Sequence, residues 1–271
     1  MKKLLLASAI FLLSAGAAKA AEVPVDIRVN GEYIITDTEP VINSGTAYAP
    51  IRAIADSLGA DKVEWNNGTA HVSIDDKKVS VSIGSRTAYV NGNPVSMNGS
   101  AFLHNDRTLI PVRAMSNIFD ANVGWDDEYK NVEINKPSVT VSKQMIDYSF
   151  THDELYWLSR IINAESRGES LAGKIAVGDV ILNRVKSSLF PNTIYGVIFD
   201  RQYGVQFEPT INGSIYDTPI SESVAAAKLS LTYPSTVGQC LYFFNPVTAT
   251  NSWIANNRPY YTTIGGHVFY L

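Results

Sequence analysis

The sequence predicts an α+β chain: a β-rich N-terminal domain of two tandem strand-helix repeats, then a mainly helical domain with a small sheet. Three observations carry this reading. Segments of the first half recur 60 or 61 positions later, a capped amphipathic helix pattern opens at Thr151, and 17 of the 28 aromatic residues fall within 151–271.

The chain opens MKKLLLASAIFLLSAGAAKA, where two lysines, a short apolar run and the small-residue end Ala18-Lys19-Ala20 give the layout of a signal peptide over 1–20. The apolar run is shorter than the ~20 residues of a membrane-crossing helix, which makes an uncleaved anchor the weaker alternative. No later segment is apolar enough to cross a bilayer, so no membrane span is expected after signal removal. The chain is read as secreted. With the three signal lysines removed, the formal charge of −4 becomes −7. That argues against nucleic acid as a partner, because phosphate binding needs clustered Lys and Arg. Cys240 stands alone, so no intrachain disulfide is possible and stability rests on packed cores.

The repeat settles the organisation of the first half. Val29-Asn30-Gly31 returns as Val90-Asn91-Gly92, Pro50-Ile51-Arg52-Ala53 as Pro111-Val112-Arg113-Ala114, and Trp65 as Trp125. Each copy reads strand, turn, strand, short helix, strand, strand. The helices are expected at Ile51–Leu58 and Val112–Phe119, each opened by a proline whose fixed φ suits a first turn. Asn-Gly pairs at 30–31, 67–68, 91–92 and 98–99 supply hairpin chemistry. His71 and His104 are isolated, so no metal site is expected there. Four domain-level segments follow: the signal at 1–20, the repeat domain at 21–137, a polar linker or crossing strand at 138–150, and a second domain at 151–271.

Thr151-His152-Asp153-Glu154 has the capping-box pattern and starts the first long helix. Leu155, Leu158, Ile162 and Glu165 follow at 3-4-3 spacing, so Glu165 extends the face that the first three bury. A carboxylate there loses hydration, which raises its pKa into the range of a general acid. Either Arg184 or Arg160 pairs with it as a structural partner, or it faces a cleft and gives its proton to a substrate. Arg167-Gly168 breaks the chain, and a helix apolar on nearly all sides runs from Ser170 to about Lys186. Gly178 on that helix leaves room for a neighbouring helix. Glu169 is expected to serve the start of this second helix, where negative charge meets the positive helix end.

Several stretches of the second half match a known family: NAESRGE at 163–169, AVGDVILNRV at 176–185, FPNTIYGVIF at 190–199, QF at 206–207, YFFNP at 242–246 and IGGHVFY at 264–270. Residues 150–271 thus resemble cell wall hydrolases of the spore cortex-lytic enzyme type, related to the lytic transglycosylase and lysozyme-like group. Residues 25–136 resemble the copper amine oxidase N-terminal-like repeat, without any copper-ligand cluster. The first resemblance implies a lysozyme-like fold for the second domain and places the catalytic glutamate at Glu165. It further implies a peptidoglycan substrate cut between N-acetylmuramic acid and N-acetylglucosamine, with spore cortex during germination as one setting. The same likeness favours a lytic transglycosylase over a hydrolase, because one acid then suffices, and no metal or organic cofactor is required. Gln206, Phe207, Tyr242, Phe244, Asn245 and His267 are the expected substrate-binding residues, with Tyr203, Trp253, Tyr260 and Tyr261 as further aromatic candidates. Peptidoglycan glycan strands are the expected partner, with a wall or protein partner for the N-terminal domain, and the cell wall or spore envelope is the expected location.

The strongest rival is a non-catalytic peptidoglycan-binding wall protein. A cysteine amidase built on Cys240 and His267 is weaker, because GQCLYFF reads as a strand with a buried, inert thiol. Four scattered histidines do not form a zinc ligand set.

Overall fold

The structure, a computed structural model, describes residues 23–202, 204–249 and 253–271; the signal segment lies outside them. The chain is α+β, with strands dominating the first half and helices with a small sheet forming the second.

The first copy of the repeat consists of β1 (Asp26–Val29), β2 (Glu32–Tyr33), β3 (Val41–Asn43), β4 (Thr46–Pro50), α1 (Ile51–Ser57), β5 (Lys62–Asn66) and β6 (Thr69–Ile74). After β7 (Lys77–Ser82), the second copy repeats the order as β8 (Thr87–Val90), β9 (Asn93–Ser96), β10 (Phe102–His104), β11 (Arg107–Pro111), α2 (Val112–Ile118), β12 (Asn122–Asp126) and β13 (Asn131–Asn135). Each copy therefore has one more hairpin than the sequence pattern suggests. The added strands β3 and β10 are three residues long, too short to show an alternation. Pro50 and Pro111 are the N-caps of α1 and α2 while still pairing in their strands, so each proline turns sheet into helix.

Three of the Asn-Gly pairs, at 30–31, 67–68 and 91–92, hold positive φ at both residues, as two-residue hairpin turns require. Asn98-Gly99 differs: only Asn98 has positive φ, and Gly99 is needed because a Cβ would collide with the Tyr48 hydroxyl.

The copies interlock instead of standing side by side. The closing hairpin of copy one joins the opening hairpin of copy two through β7, in the order β5-β6-β7-β8-β9. The closing hairpin of copy two returns to the opening hairpin of copy one, where β13 runs parallel to β1 with Ile27 opposite Val132 and Val29 opposite Ile134. A third sheet, β10-β11-β4-β3, crosses between the copies. Alternation points Ile27, Val29, Val72, Ile74, Val132 and Ile134 into one shared apolar core.

The second half opens with α3 (His152–Ser166), whose capping box is formed as expected: Thr151 Oγ1 accepts from the Glu154 amide and the Glu154 carboxylate accepts from Thr151. Next come α4 (Leu171–Lys186), α5 (Ile194–Phe199), α6 (Pro209–Asn212), α7 (Ser221–Thr232), β14 (Tyr242–Phe244), α8 (Trp253–Asn257), β15 (Tyr260–Ile264) and β16 (His267–Tyr270). The last three strands form a sheet in the order β14-β16-β15. Helix α4 is capped by Ser170 and packs between α3 and α7. At Gly178 a Cβ would come within 2.8 Å of both Ile162 Cδ1 on α3 and Ser230 Oγ on α7, so the close approach requires glycine. No helix among the described residues is long and apolar enough to cross a membrane.

The two halves share a packed face. Residues 138–150 run along the first half, with Ile146 bridged to Ile34 and the Asp147 amide donating to Tyr33 O at 2.8 Å. Tyr33 packs on Phe150 with ring centroids 4.9 Å apart. Lys228 of α7 reaches Asp26 Oδ2 at 2.7 Å, Pro24 O at 2.7 Å and Asn131 Oδ1 at 3.1 Å. Arg160 of α3 meets Glu128 at 2.9 Å and the Tyr129 hydroxyl at 2.5 Å.

Candidate active site

The end of α3, the turn into α4, β14, α8 and the β15–β16 hairpin enclose a cleft of about 980 Å³. Leu155, Leu158 and Ile162 are fully buried, and they fix the rotation of α3 so that Glu165, less than a turn further on, reaches the cleft wall. No described residue donates a hydrogen bond to its carboxyl or forms an ion pair with it. Burial pushes that carboxyl up to about 7; the Arg184 charge pulls it down and the Glu208 charge adds to the rise.

Neither structural partner considered for Glu165 takes that role. Arg160 turns away to Glu128 and Tyr129. Arg184 is within electrostatic reach of Glu165 but forms no ion pair with any described residue. Its Nε donates to Leu241 O at 2.7 Å, and its guanidinium lies over Phe190, Phe207 and Tyr242, 4.9 to 5.7 Å from their ring centres. Burial lowers its pKa to about 10, which leaves it charged at neutral pH.

Glu169 lies at the start of α4 as expected and has a second partner. It precedes the Ser170 cap, its side chain lies against the first turn of α4 at Gly173, and its carboxylate accepts the Gly266 amide at 2.9 Å. A Cβ at Gly265 would strike this carboxylate, so Gly265-Gly266 is the opening that lets Glu169 grip the hairpin turn. His267 Nδ1 sits 3.7 Å from the other oxygen, and burial keeps the imidazole pKa below its usual value against the opposing pull of Glu169. A neutral ring at neutral pH follows.

All six expected binding residues, Gln206, Phe207, Tyr242, Phe244, Asn245 and His267, line the same cleft as Glu165. Their situations differ. Phe207 is buried in the core beneath Arg184, so it shapes the wall more than it offers a face. Phe244 stacks on Tyr270 at 5.6 Å. Asn245 Oδ1 caps the following turn through the Val247 amide at 2.9 Å. Gln206 is partly exposed and its amide reaches Gly204 O at 3.4 Å. Trp253 lines the cleft, whereas Tyr260 and Tyr261 are exposed residues of β15 that do not, and Tyr203 lies outside the described residues. Cys240 is fully buried and burial raises its thiol to about 11, an inert group. Among the described residues no group of three or more His, Cys, Asp or Glu is placed to hold a metal ion.

Arg258 lines the cleft and was not suggested by the sequence. It follows α8, with its guanidinium over Tyr242 at 4.6 Å and Trp253 at 5.2 Å. A lone arginine in NNRPYY has no local pattern to single it out.

Residues 168–270 match the family model described as Cell Wall Hydrolase. The second half is similar to cell wall hydrolases. Residues 28–134 match the model described as Copper amine oxidase N-terminal domain. The hydrolase match begins three residues after Glu165 (168 − 165). A spore cortex-lytic enzyme of Bacillus cereus is 39% identical over 120 residues, 44% of this chain and 45% of that protein. One from Oceanobacillus iheyensis is 35% identical over 133 residues, 49% of this chain and 45% of that protein. The chain thus spans less than half the length of the curated relatives it matches. Among solved structures, the catalytic domain of the germination-specific lytic transglycosylase SleB from Bacillus anthracis aligns at 37% identity and a TM-score of 0.42, covering 46% of this chain and 100% of that one.

Proposed function

We propose that this protein is an exported peptidoglycan-cleaving enzyme in which Glu165 is the catalytic acid and the cleft binds the glycan through Gln206, Tyr242, Phe244, Asn245 and His267, with Phe207 forming its wall. The carrying observation is a half-buried carboxyl at a cleft wall, without a hydrogen-bond partner among the described residues and raised to about 7. The hydrolase match and the spore cortex-lytic relatives support peptidoglycan as substrate, and the relatives' names support spore cortex as its setting.

Of the two mechanisms, lytic transglycosylation suits the cleft better. A hydrolase with two acids needs a second carboxylate free to activate water or to attack. The sequence offers Glu169, Asp179, Asp200, Glu208 and Asp217 as second acids: Glu169 is held by the hairpin amide, Asp179 is buried against Thr236, 2.6 Å from its amide, and Asp200, Glu208 and Asp217 do not line the cleft. Glu165 protonates the bridging oxygen as the bond to the muramic carbon breaks. The resulting carboxylate removes the proton from that sugar's 6-hydroxyl, whose oxygen closes a 1,6-anhydro ring. The proton is back on Glu165 at the end and no water is consumed. A pKa of about 7 leaves the group able to give and retake a proton at neutral pH.

The repeat domain is proposed to hold the enzyme on the wall or on a partner protein, with boundaries near 21–137 and 151–271 and the intervening residues packed as a strap. Mass spectrometry of digested sacculi tests the chemistry: muramic ends lighter by one water are expected, and ends carrying that water would replace the mechanism by hydrolysis. The rival, a wall-binding protein without activity, stands if no soluble fragments are released.

A further inference from the structure

Trp65 and Trp125 hold equivalent positions in the two copies of the repeat, and the shared core takes up neither. Across the strand pairs Trp65 stands opposite Ala70 and Trp125 opposite Val132, both buried, so each indole lies on the core side of its sheet. Each is nonetheless open, at 45% and 40% exposure, and each lines a groove. Both grooves join the two copies. One, of about 450 Å³, sets Arg52 and Trp65 of the first copy with Leu103 of the second. The other, of about 770 Å³, sets Arg113 and Trp125 of the second copy with Ile42 of the first, the counterpart of Leu103. The arginines are fastened alike: Arg52 Nη2 donates to Val63 O at 3.1 Å and Arg113 Nη1 to Val123 O at 3.0 Å. Neither forms an ion pair with a described residue.

A guanidinium has five N–H donors, and one bond to a strand carbonyl leaves others for a ligand. An open indole with such donors suits a pyranose ring, whose C–H face packs on the indole while its hydroxyl and acetamido oxygens accept hydrogen bonds. Charge turns the choice toward an uncharged ligand. Residues 21–137 carry sixteen Asp and Glu against ten Lys and Arg, which disfavours an anionic polymer. The other cations at the grooves are already taken, Arg107 by Asp37 and Lys77 by Asp120. A site built twice also matches a ligand whose units repeat. We propose that the two Trp–Arg grooves bind N-acetylhexosamine units of the wall glycan, and that together they hold the enzyme on the strands its cleft cuts. This names the partner of the repeat domain and rests on the peptidoglycan reading. Two grooves on one domain make the second contact intramolecular, so the affinities reinforce each other.

The test uses the full chain bearing Glu165→Gln, so that glycan is bound without turnover, with fluorinated tryptophan in place of tryptophan. The probe is the N-acetylglucosamine tetramer, which is uncharged and carries no peptide. The fluorine resonances of Trp65 and Trp125, assigned through Trp65→Phe and Trp125→Phe, are expected to shift as tetramer is added. In pelleting with sacculi, Trp65→Ala or Trp125→Ala is expected to weaken binding about tenfold, and the two together about a hundredfold. Phenylalanine at both positions should keep most of the affinity. Resonances that stay in place, a shift at only one of the two, or a double alanine variant that pellets like its parent would overturn the paired grooves. The fluorine spectrum decides the matter without any alanine variant having to fold. Release of soluble fragments by the parent protein is scored separately, so an enzyme that cuts glycan with idle grooves keeps its function and loses only this inference.

Discussion

The two halves of the molecule treat buried charge in opposite ways. The first builds an apolar core in which the buried polar groups are chiefly Ser, Thr and Asn, and its buried Lys136 still finds Leu58 O at 3.4 Å and Asp75 at 3.6 Å. The second buries acids and bases along α3, α4 and α7 and matches nearly all of them. Glu165 and Arg184 are left over, and they line one cleft. Burying an ionised group without a partner costs several kcal/mol, so matched charges here hold the architecture together, and we propose that the unmatched ones mark where a ligand completes the site.

The largest effect expected from this contrast is catalytic. Glu165→Gln should lower release of soluble wall fragments by about a thousandfold, the middle of the range a general acid contributes, while pelleting with sacculi is retained. Undiminished lysis would end the assignment. The same exchange should strengthen the fold. The folded pKa of Glu165 lies above its unfolded value, so its contribution to stability is complete below about 4.5 and lost as pH rises through about 7. Glutamine removes that loss, and the variant should be more stable than the parent by about 3 kcal/mol at pH 8 and by little at pH 4, measured by urea unfolding.

A matched charge should respond with the opposite sign. Lys228→Met strands Asp26 and Asn131 at the face between the halves, with an expected cost of about 3 kcal/mol in the same assay. A neutral or stabilising result would break the distinction between the two kinds of buried charge. The pH profile gives a further check: kcat/KM should fall about tenfold per pH unit above about 7 as Glu165 ionises, and a plateau reaching pH 9 would remove it as the acid. The smallest effect is expected at Gly178→Ala. The new methyl collides with Ile162 and Ser230 and costs about 1 to 2 kcal/mol after the gain in helix propensity, read as a lower thermal midpoint.

Much of this was legible in sequence where the signal was local. The capping box at Thr151, the 3-4-3 face ending at Glu165, the glycine at 178 and the three hairpin Asn-Gly turns each depend on residues within a few positions of one another. The cleft was legible in part, because Gln206, Tyr242, Asn245 and His267 stand out as polar or aromatic members of family motifs. What stayed hidden depends on distant chain segments. The grip of Glu169 on Gly266 spans 97 residues, and nothing near Glu169 suggests a target other than its own helix. Arg258 became a cleft residue only when α8 brought it over Tyr242, and the parallel pairing of β13 with β1 lies beyond any pattern of alternation.

That parallel pairing has a kinetic corollary. Asp26 is paired with Asn131, so the edge of the first sheet has no neighbour until more than a hundred further residues have been joined to the chain. Closing so long a loop is slow, because its entropy is lost before the contacts repay it. The Lys228 ammonium then fastens onto Pro24 O, 204 positions earlier. The opening strand is therefore secured by segments that lie far later in the chain. A ribosome-bound chain stopped before Asn131 should leave β1 open to protease, and release of the full chain should close it.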